Sequence, residues 1–323
     1  MSATAKHHKT KLLLRLGKSL LMAITAGTGL LSLTGFLGAY AYLLNLTSHF
    51  RVQYAFVLLG CSLLLWSVKK RKSSLIALSL AILNMSEILP LYQKPELSAS
   101  SEGAHFSLFQ LNVLTDNQQF EQVLNEINRL DPDVVVMEEV TPEWYQALAA
   151  VRERYPYVVE TLDRTSLGVM IMSRIPLEET ELIDFNDGRL PSLVTELQVK
   201  GKPVTLIATH PLSPRNKTKF RLRNKQLYAI AQAFRERNDP LIMVGDLNIT
   251  SFSPVFDRFI EQIDLYDSRQ GFGVQPTWPG HAWLVARIAL DHCLLSPDLR
   301  VTQRQLGSYV GSDHLPVYVE IEM

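Results

Sequence analysis

Cysteine is nearly absent from this sequence of 323 residues. The two cysteines lie far apart, Cys61 in an apolar run and Cys293 in a predicted strand. This spacing excludes a disulfide-stapled fold and a cysteine-based zinc site, because both need several clustered sulfur atoms. An internal repeat of fixed period is also missing. A composition of 47% hydrophobic and 20% charged residues excludes disorder as the main theme and fits a globular or partly membrane-embedded protein.

The sequence also lacks an excess of charge, since its net charge at pH 7 is zero. This balance hides an asymmetry. Residues 1–105 hold 11 Lys and Arg against 3 Asp and Glu, whereas residues 106–323 hold 21 against 29, a net charge of −8. The two parts therefore have different surroundings. The acidic part disfavours tight nonspecific binding to duplex DNA, which depends on neutralising many phosphates.

Three long apolar segments lie in the basic part, at about residues 20–46, 52–68 and 74–92. The first can cross a bilayer core of roughly 30 Å, and the second is near the minimum length for a span. The third contains Asn84 and Glu87, which make its insertion less favourable. A basic start before an apolar run also describes a signal peptide, but this run is long and two more follow. We predict a membrane region at residues 1–92 with three transmembrane helices.

The positive charges predict the orientation of these helices, because Lys and Arg are retained on the cytoplasmic side. The basic N-terminus and the run Lys69–Lys72 should both be cytoplasmic. Three spans then place everything after Tyr92 outside, which in a bacterium means a multi-pass protein of the cytoplasmic (inner) membrane with a periplasmic or extracellular domain. A two-span protein would turn that domain inward.

The serine-rich segment 93–105 is predicted to be a linker, followed by a catalytic domain at residues 106–323.

Short apolar strands alternate with helices from residue 106 onward, which predicts a layered α/β domain. The predicted strands are 106–112, 133–139, 168–173, 193–199, 203–210, 241–244, 288–295 and 317–321. The predicted helices cover about 118–130, a segment from Pro142, and a long basic stretch at 216–237.

Most of these strands end in polar residues. The residues at the ends are Asn112, Glu138, Glu139, His210, Asp246, Asn248, Asp291, His292, Asp313 and His314. Each has an ordinary explanation by itself; Asp246 and Asn248, for example, follow Gly245 and are typical of an Asx turn. Acids, amides and histidines after most core strands are nevertheless hard to obtain from packing alone. Because strand ends at one side of a sheet converge on one crevice, the pattern indicates a single site.

The motifs formed by these residues resemble those of the endonuclease/exonuclease/phosphatase superfamily, the DNase I-like metal-dependent phosphohydrolases. They are LNV, MEEV, THP, GDLN, LDH and SDH in the family's order, with PTWPG at 276–280 before LDH. GDLN together with the C-terminal SDH is specific, whereas LNV or THP alone is weak. The resemblance implies a four-layer α/β/β/α sandwich, preceded here by the transmembrane helices.

The resemblance also implies Mg²⁺ as a cofactor, with Mn²⁺ as a substitute. The metal ligands would be Asn112, Glu139 and Asp313. Hard oxygen ligands of this kind suit Mg²⁺, which uses few carboxylates and keeps several waters. Glu138 is expected to point away from the site, because successive side chains of a strand alternate between its faces.

The catalytic residues implied by the resemblance are His210, Asp246, Asn248, Asp291 and His314. His314, paired with Asp291, is the expected base or charge stabiliser, and Asp246 is expected to orient or deprotonate the attacking water. Asn248 would hold the phosphate or Asp246. His210 stands where DNase I-like members carry a phosphate-contacting histidine, which weighs against abasic-site repair. His292 is expected to be structural.

The basic stretch after His210 contains Arg215, Lys217, Lys219, Arg221, Arg223 and Lys225. These residues form either the solvated face of a helix or a rim that collects phosphate beside the site.

We expect a membrane-anchored, nuclease-like phosphodiesterase acting on nucleic acid or a phospholipid headgroup. The alternatives are a phosphatase or phosphodiesterase for lipids or small molecules, and a non-catalytic membrane-tethered binding module. A protein partner is not predictable from the sequence.

Overall fold

A computed structural model describes residues 3–95, 103–163, 167–186 and 191–323. The chain divides into two compact units, Met1–Pro90 with Phe252–Pro254, and Leu91–Ser251 with Val255–Met323. Most of the segment expected to be a linker, residues 96–102, lies outside the described residues.

The N-terminal unit is helical. Its helices are α1 (Ala3–Gly35), α2 (Tyr42–Ser48), α3 (Arg51–Ser67) and α4 (Arg71–Ile88). By length and composition, two helical stretches are sufficient to cross a membrane, Lys11–Gly35 and Arg71–Tyr92. The bent pair α2 and α3, with an angle of 66° between them, makes a third if it counts as one span.

The first apolar segment is interrupted, in contrast to the continuous span expected at residues 20–46. Helix α1 ends at Gly35 and α2 begins at Tyr42. The chain can fold back here because Gly35 has no side chain: a Cβ at this position would meet the Cα of Ser48 at 2.9 Å. The close approach of backbone to backbone therefore fixes the end of α1.

A group of buried polar residues joins α1, α3 and α4. Arg51 donates through Nη1 to the carbonyl oxygen of Ser32 at 2.7 Å and to Oδ1 of Asn84 at 3.4 Å. Asn84 in turn donates through Nδ2 to Oγ of Ser32 at 2.7 Å. All three residues are fully buried. The side chain of Asn84, which the sequence marks as unfavourable for insertion, is thus satisfied by polar groups of neighbouring helices.

The described residues of the second unit form twelve strands and five α-helices. Its strands are β1 (His105–Asn112), β2 (Val134–Glu138), β3 (Tyr157–Thr161), β4 (Val169–Ser173), β5 (Leu177–Asp184), β6 (Pro191–Val199), β7 (Lys202–Ala208), β8 (Leu241–Asp246), β9 (Tyr266–Asp267), β10 (Asp291–Leu295), β11 (Arg300–Leu306) and β12 (Val317–Glu322). Its helices are α5 (Phe120–Leu130), α6 (Pro142–Ala147), α7 (Ala149–Arg152), α8 (Lys217–Phe234) and α9 (Pro254–Ile263).

The strands form two six-stranded sheets, ordered β11-β12-β1-β2-β4-β3 and β5-β6-β7-β8-β10-β9. One apolar core lies between the sheets and includes Leu108, Val136, Leu206, Val244 and Val319. A second core lies between the other face of the first sheet and helices α5 to α7, with Phe109, Val123 and Trp144 among its residues. The predicted α/β/β/α sandwich is confirmed.

The pairing of the central strands brings the polar strand ends together. Strands β1 and β2 are parallel, as are β7 and β8, so within each pair the carboxyl ends meet at one edge. Strand β10 runs antiparallel to β8, with Asp291 directly opposite Asp246. The start of β10 therefore lies beside the end of β8.

Candidate active site

The end of β8 depends on a glycine. Gly245 has φ of +144°, and a Cβ there would meet the carbonyl oxygen of Thr209 at only 2.0 Å. No other residue fits this position without moving the backbone. Gly245 therefore lets β7 and β8 approach closely enough to set Asp246 beside the residues that follow β7.

His314 lies between two carboxylates. Its Nδ1 is 2.8 Å from Oδ2 of Asp291, and its Nε2 is 3.5 Å from Oδ2 of Asp246. Burial by itself favours the neutral imidazole, but the charges of Asp291 and Asp246 outweigh it and raise the pKa of His314 to about 10. The imidazolium is therefore the favoured form at neutral pH.

His210 and Asn248 contact the same oxygen of Asp246. Oδ2 of Asp246 is 3.4 Å from Nε2 of His210 and accepts a hydrogen bond from Nδ2 of Asn248 at 3.3 Å. Burial opposes the charged form of His210, yet the hydrogen bond and charge of Asp246 raise its pKa to about 9. Burial likewise opposes the charged form of Asp246, but the neighbouring histidines outweigh it and lower the pKa of this carboxyl. Asp246 is thus an ionised, buried hub.

Asn112 connects this hub to Glu139. Its Nδ2 donates to Oε1 of Glu139 at 3.1 Å and to Oδ2 of Asp246 at 3.2 Å. The other oxygen of Glu139 accepts from the backbone N–H and the hydroxyl of Thr115. Glu139 and Asn248 both have positive φ, 61° and 52°. Such backbone is costly for a glutamate, and strain of this kind concentrates at functional sites.

Two groups of side chains could hold a metal ion. Atoms of Asp246, Asp291 and His314 all lie within 4.8 Å of one another. Asp291 and His314, however, are already bonded to each other. Glu139 fits better together with Asn112, whose Nδ2 lies 3.1 Å from Oε1 of Glu139, because both side chains carry oxygen ligands. This donor set of hard oxygens suits Mg²⁺.

Asp313 lies at the side of the cluster. Its Oδ2 accepts a hydrogen bond from Nε1 of Trp278 at 2.9 Å, and its Oδ1 is 4.0 Å from Nε2 of His314. The Asp313 side chain is 34% exposed, whereas that of His314 is only 6% exposed. The other seven residues predicted for the site form one continuous set of contacts.

Glu138 points towards the site and not away from it, so that expectation is wrong. It is fully buried, and its Oε2 accepts from Nε2 of Gln110 at 2.9 Å. The same nitrogen donates to Oδ1 of Asp291 at 2.9 Å. Burial raises the pKa of Glu138 to about 8. Both faces of a central strand are buried in a two-sheet sandwich, so alternation sends Glu138 between the sheets beneath the site. Gln110 carried no motif signal.

Arg223 does not belong to a basic rim. It is fully buried and donates through Nη1 to the backbone oxygen of Asn248 at 2.6 Å. Arg215, Lys217, Arg221 and Lys225 of the same stretch are exposed, and Lys219 is half-buried. The sequence suggested a place for Arg223 in the rim because it lies within the same basic stretch as the exposed residues. His292, which is expected to be structural, is fully buried, and its Nε2 lies 2.8 Å from the backbone oxygen of Ile249.

A groove of about 840 Å³ opens beside Glu139. Its walls are formed by Thr115–Gln118 with Phe120, and by residues of α6 together with Thr141. Thr115 also contacts Glu139 through two hydrogen bonds. Thr115 therefore links the groove to Glu139, although none of the predicted site residues lines the groove itself.

Solved structures of other proteins share this fold, and a family model matches the chain. The Endonuclease/Exonuclease/phosphatase family model matches residues 109–314. Humanized TDP2 of D. rerio is 20% identical with a TM-score of 0.57, covering 68% of this chain and 99% of that chain. An endonuclease/exonuclease/phosphatase from Beutenbergia cavernae is 18% identical with a TM-score of 0.53, covering 68% and 72%. A conserved protein of Enterococcus faecalis is 16% identical with a TM-score of 0.56, covering 67% and 98%.

No curated protein sequence matches the chain. These three structures are 16–20% identical to the chain, so they establish the fold alone. The family model covers most of the second unit and spans the site from β1 to His314. On this basis the chain belongs to the endonuclease/exonuclease/phosphatase family.

Proposed function

We propose that the chain is a membrane-anchored, Mg²⁺-dependent hydrolase of phosphoesters. One observation carries the proposal: His314 is held between Asp291 and Asp246, directly beside the pair of Asn112 and Glu139. A buried imidazolium, an ionised carboxylate, and a carboxylate beside an amide that together suit a cation would provide the three functions that phosphoester hydrolysis needs. The family in general hydrolyses phosphoester bonds.

A phosphodiester resists hydrolysis because its negative charge repels the nucleophile. A catalyst therefore has to neutralise charge, align a water with the leaving oxygen and stabilise that oxygen as it leaves. Glu139, with Asn112 and Asp313 nearby, would hold Mg²⁺. When bound, Mg²⁺ supplies positive charge for the phosphoryl oxygens.

The protein's own side chains divide the remaining tasks. Asp246 is ionised and accepts hydrogen bonds, so it can orient the attacking water. Asn248 lies beside it with an amide N–H group that can donate to a phosphoryl oxygen. The high pKa of His314 favours the role of charge stabiliser over that of base, with Asp291 fixing the ring through Nδ1.

Nucleic acid, lipid headgroups and small phosphodiesters remain the substrate classes to compare. One structural neighbour, TDP2 of D. rerio, is named as a complex with single strand DNA product. The exposed residues Arg215, Lys217 and Arg221 would favour any anionic substrate. The exposed apolar side chains of Trp283, Leu284 and Val285 separately support a lipid headgroup.

The test is a hydrolysis screen of the full chain in detergent with Mg²⁺, Mn²⁺ or EDTA. Substrates are bis(p-nitrophenyl) phosphate, DNA, RNA, phospholipid, sphingomyelin and inositol phosphates. We expect metal-dependent turnover that chelation and Glu139→Gln abolish. Glu160→Gln, an exposed change in β3, is the matched control and should be fully active. Activity of Glu139→Gln in EDTA would contradict the metal assignment, and inactivity of the native chain on every substrate would favour a non-catalytic binding module.

We further propose that the chain lies in a bacterial cytoplasmic membrane with its catalytic unit outside. The basic N-terminus and Lys69–Lys72 support this orientation. The hydrogen bonds that Arg51 and Asn84 make to each other and to Ser32, between neighbouring helices, support insertion of the third segment. Alkaline phosphatase fused after Met323 should be active, since this reporter works only outside. A stable but inactive fusion would place the catalytic unit in the cytoplasm.

A further inference from the structure

A loop of the catalytic unit presents three adjacent apolar side chains to solvent. Trp283, Leu284 and Val285 are 86%, 65% and 71% exposed. They stand at the tip of the loop 279–287. Among the described residues of this unit, no other run of neighbouring large apolar side chains is exposed to this degree. An exposed apolar patch at one place marks an interaction site.

The exposure belongs to a well-formed loop. At its base, the backbone N–H of Ile288 donates to the carbonyl oxygen of Trp278 at 2.6 Å. Near its tip, the N–H of Ala286 donates to the carbonyl oxygen of Trp283 at 2.8 Å. The side chain of Arg287 bridges the two arms of the loop, because its Nε donates to the carbonyl oxygen of Ala282 at 2.8 Å. The apolar tip is therefore held in place before any partner arrives.

The base of the loop adjoins the candidate active site. The backbone N–H of Gly280 donates to the carbonyl oxygen of Asp313 at 2.6 Å. The indole N–H of Trp278 donates to the Asp313 carboxylate at 2.9 Å. Asp313 immediately precedes His314. Whatever the tip binds is thus brought next to the cluster that would act on it.

We propose that Trp283, Leu284 and Val285 insert into the interface of a lipid bilayer and bring phospholipid headgroups to the active site. This inference rests on the proposed function and names its substrate class, a phosphoester at a membrane surface. Tryptophan suits the headgroup level of a bilayer, and leucine and valine suit the acyl boundary beneath it. The loop 279–287 contains no acidic residue, and His281 and Arg287 flank its tip, as an anionic surface requires.

The connection between the two units is short. The last helical stretch able to cross a membrane ends at Tyr92, and β1 begins at His105. A chain extends by at most about 3.6 Å per residue, so these 13 residues span at most about 47 Å. With the membrane anchoring proposed above, the catalytic unit would stay tethered close to a bilayer.

Nucleic acid fits the tip less well. An indole ring can stack on a base, but leucine and valine offer no flat face for stacking. Residues 106–323 also have a net charge of −8, which opposes a long polyanion. A single-stranded oligonucleotide is accordingly the competitor to test.

Insertion can be measured on the full chain reconstituted into vesicles of phosphatidylethanolamine and phosphatidylglycerol. A nitroxide is attached to Leu284→Cys in a Cys61→Ala, Cys293→Ala background, and its collision rates with oxygen and with a water-soluble nickel chelate are compared. The matched control is Leu182→Cys, since Leu182 is 57% exposed in β5. We expect a several-fold higher ratio of oxygen to nickel collisions at position 284 than at position 182. Equal ratios, or immobilisation of the label by a single-stranded oligonucleotide and not by lipid, would overturn the proposal.

The functional consequence is measured with Trp283→Ser, Leu284→Ser on two substrates. Loss of two apolar side chains that the bilayer would bury should lower turnover of vesicle phospholipid by at least about tenfold, while turnover of bis(p-nitrophenyl) phosphate stays unchanged. Equal activity on vesicles would contradict the inference, and so would an equal loss on both substrates. A native chain that hydrolyses neither substrate refutes the proposed function, whereas the nitroxide measurement still reports insertion.

Discussion

His314 is the residue on which the proposed chemistry depends most directly. It contacts Asp291 and Asp246 from opposite ring nitrogens, so its removal eliminates a charge stabiliser and leaves two buried carboxylates facing each other. We predict that His314→Ala lowers kcat on bis(p-nitrophenyl) phosphate by at least about 10²-fold, the usual scale for a positioned acid or base. The control is His105→Ala, an exposed histidine at the start of β1. A variant close to native activity would assign the charge stabilisation to another group.

Gln110 holds the carboxylate of Asp291, the partner of His314. Its Nε2 is the donor to Oδ1 of Asp291 and to Oε2 of Glu138. Gln110→Met preserves the length of the side chain but removes this donor from a buried carboxylate. We predict a loss of about 1–3 kcal/mol in the free energy of unfolding, together with a lower kcat and an unchanged KM. Denaturant titration and steady-state kinetics measure the two effects, and an unchanged kcat would limit Gln110 to a structural role.

The motif residues could be predicted from the sequence, whereas their supporting residues could not. Asp246, Asn248 and His314 stand at strand ends, where a polar residue has few structural reasons to occur. Gln110 and Arg223 instead lie within regular elements, where a polar residue normally faces solvent. Only the packing of two sheets and a helix shows that both are buried. Local sequence contains no information about that packing.

Central strands and edge strands differ in how well the sequence predicts them. All eight predicted strands correspond to central strands of the two sheets. The four strands that were not predicted are the edges, β3, β5, β9 and β11. Central strands are buried on both faces and appear as continuous apolar runs. Strand β5 is mostly exposed and reads LEETELID, so its sequence is typical of a loop or a helix.

Strand β8 offers a direct test of close packing at the site. In Gly245→Ala the new Cβ would meet the Thr209 carbonyl oxygen at 2.0 Å. The alanine would also have to adopt a φ of +144°, which is unfavourable for it. We predict a loss of at least about 2 kcal/mol in the free energy of unfolding. Gly201→Ala provides the comparison, because Gly201 has φ of +80° with open space around it and should cost only about 1 kcal/mol. Equal losses would mean that the close approach of β7 and β8 is easily relieved.

The short strand β9 is held by a buried ion pair with a predictable pH dependence. Asp267 bonds Arg269 and lies 3.6 Å from His292. Burial opposes ionisation of Asp267, but the charge of Arg269 outweighs it and holds the pKa well below 3.8. A depressed pKa contributes stability above pH of about 4 that is lost as the pH falls. We predict that Asp267→Asn is less stable at pH 7 and loses less further stability on acidification than the native chain, as thermal unfolding at several pH values can measure.

The charge asymmetry acts at the scale of the whole molecule. Residues 106–323 have a net charge of −8, and the exposed cations after His210 are the main local exception. We predict weak binding to duplex DNA, with little loss of affinity when salt rises from 50 to 200 mM, because few phosphates are neutralised. Fluorescence anisotropy with a labelled duplex measures this. A steep decrease of affinity with salt would indicate a nucleic-acid interface and support a nuclease.

The charged edge strand β5 bears on the proposed membrane anchoring. Tethered copies would diffuse in two dimensions, where they would collide far more often than free copies in the same cell volume. An unpaired strand edge could then join sheets of neighbouring copies into an assembly. Glu178, Glu179 and Glu181 lie along β5, and its pairing with β6 shifts register between Glu178 and Glu181. Repulsion between like charges and the irregular edge would oppose such an assembly.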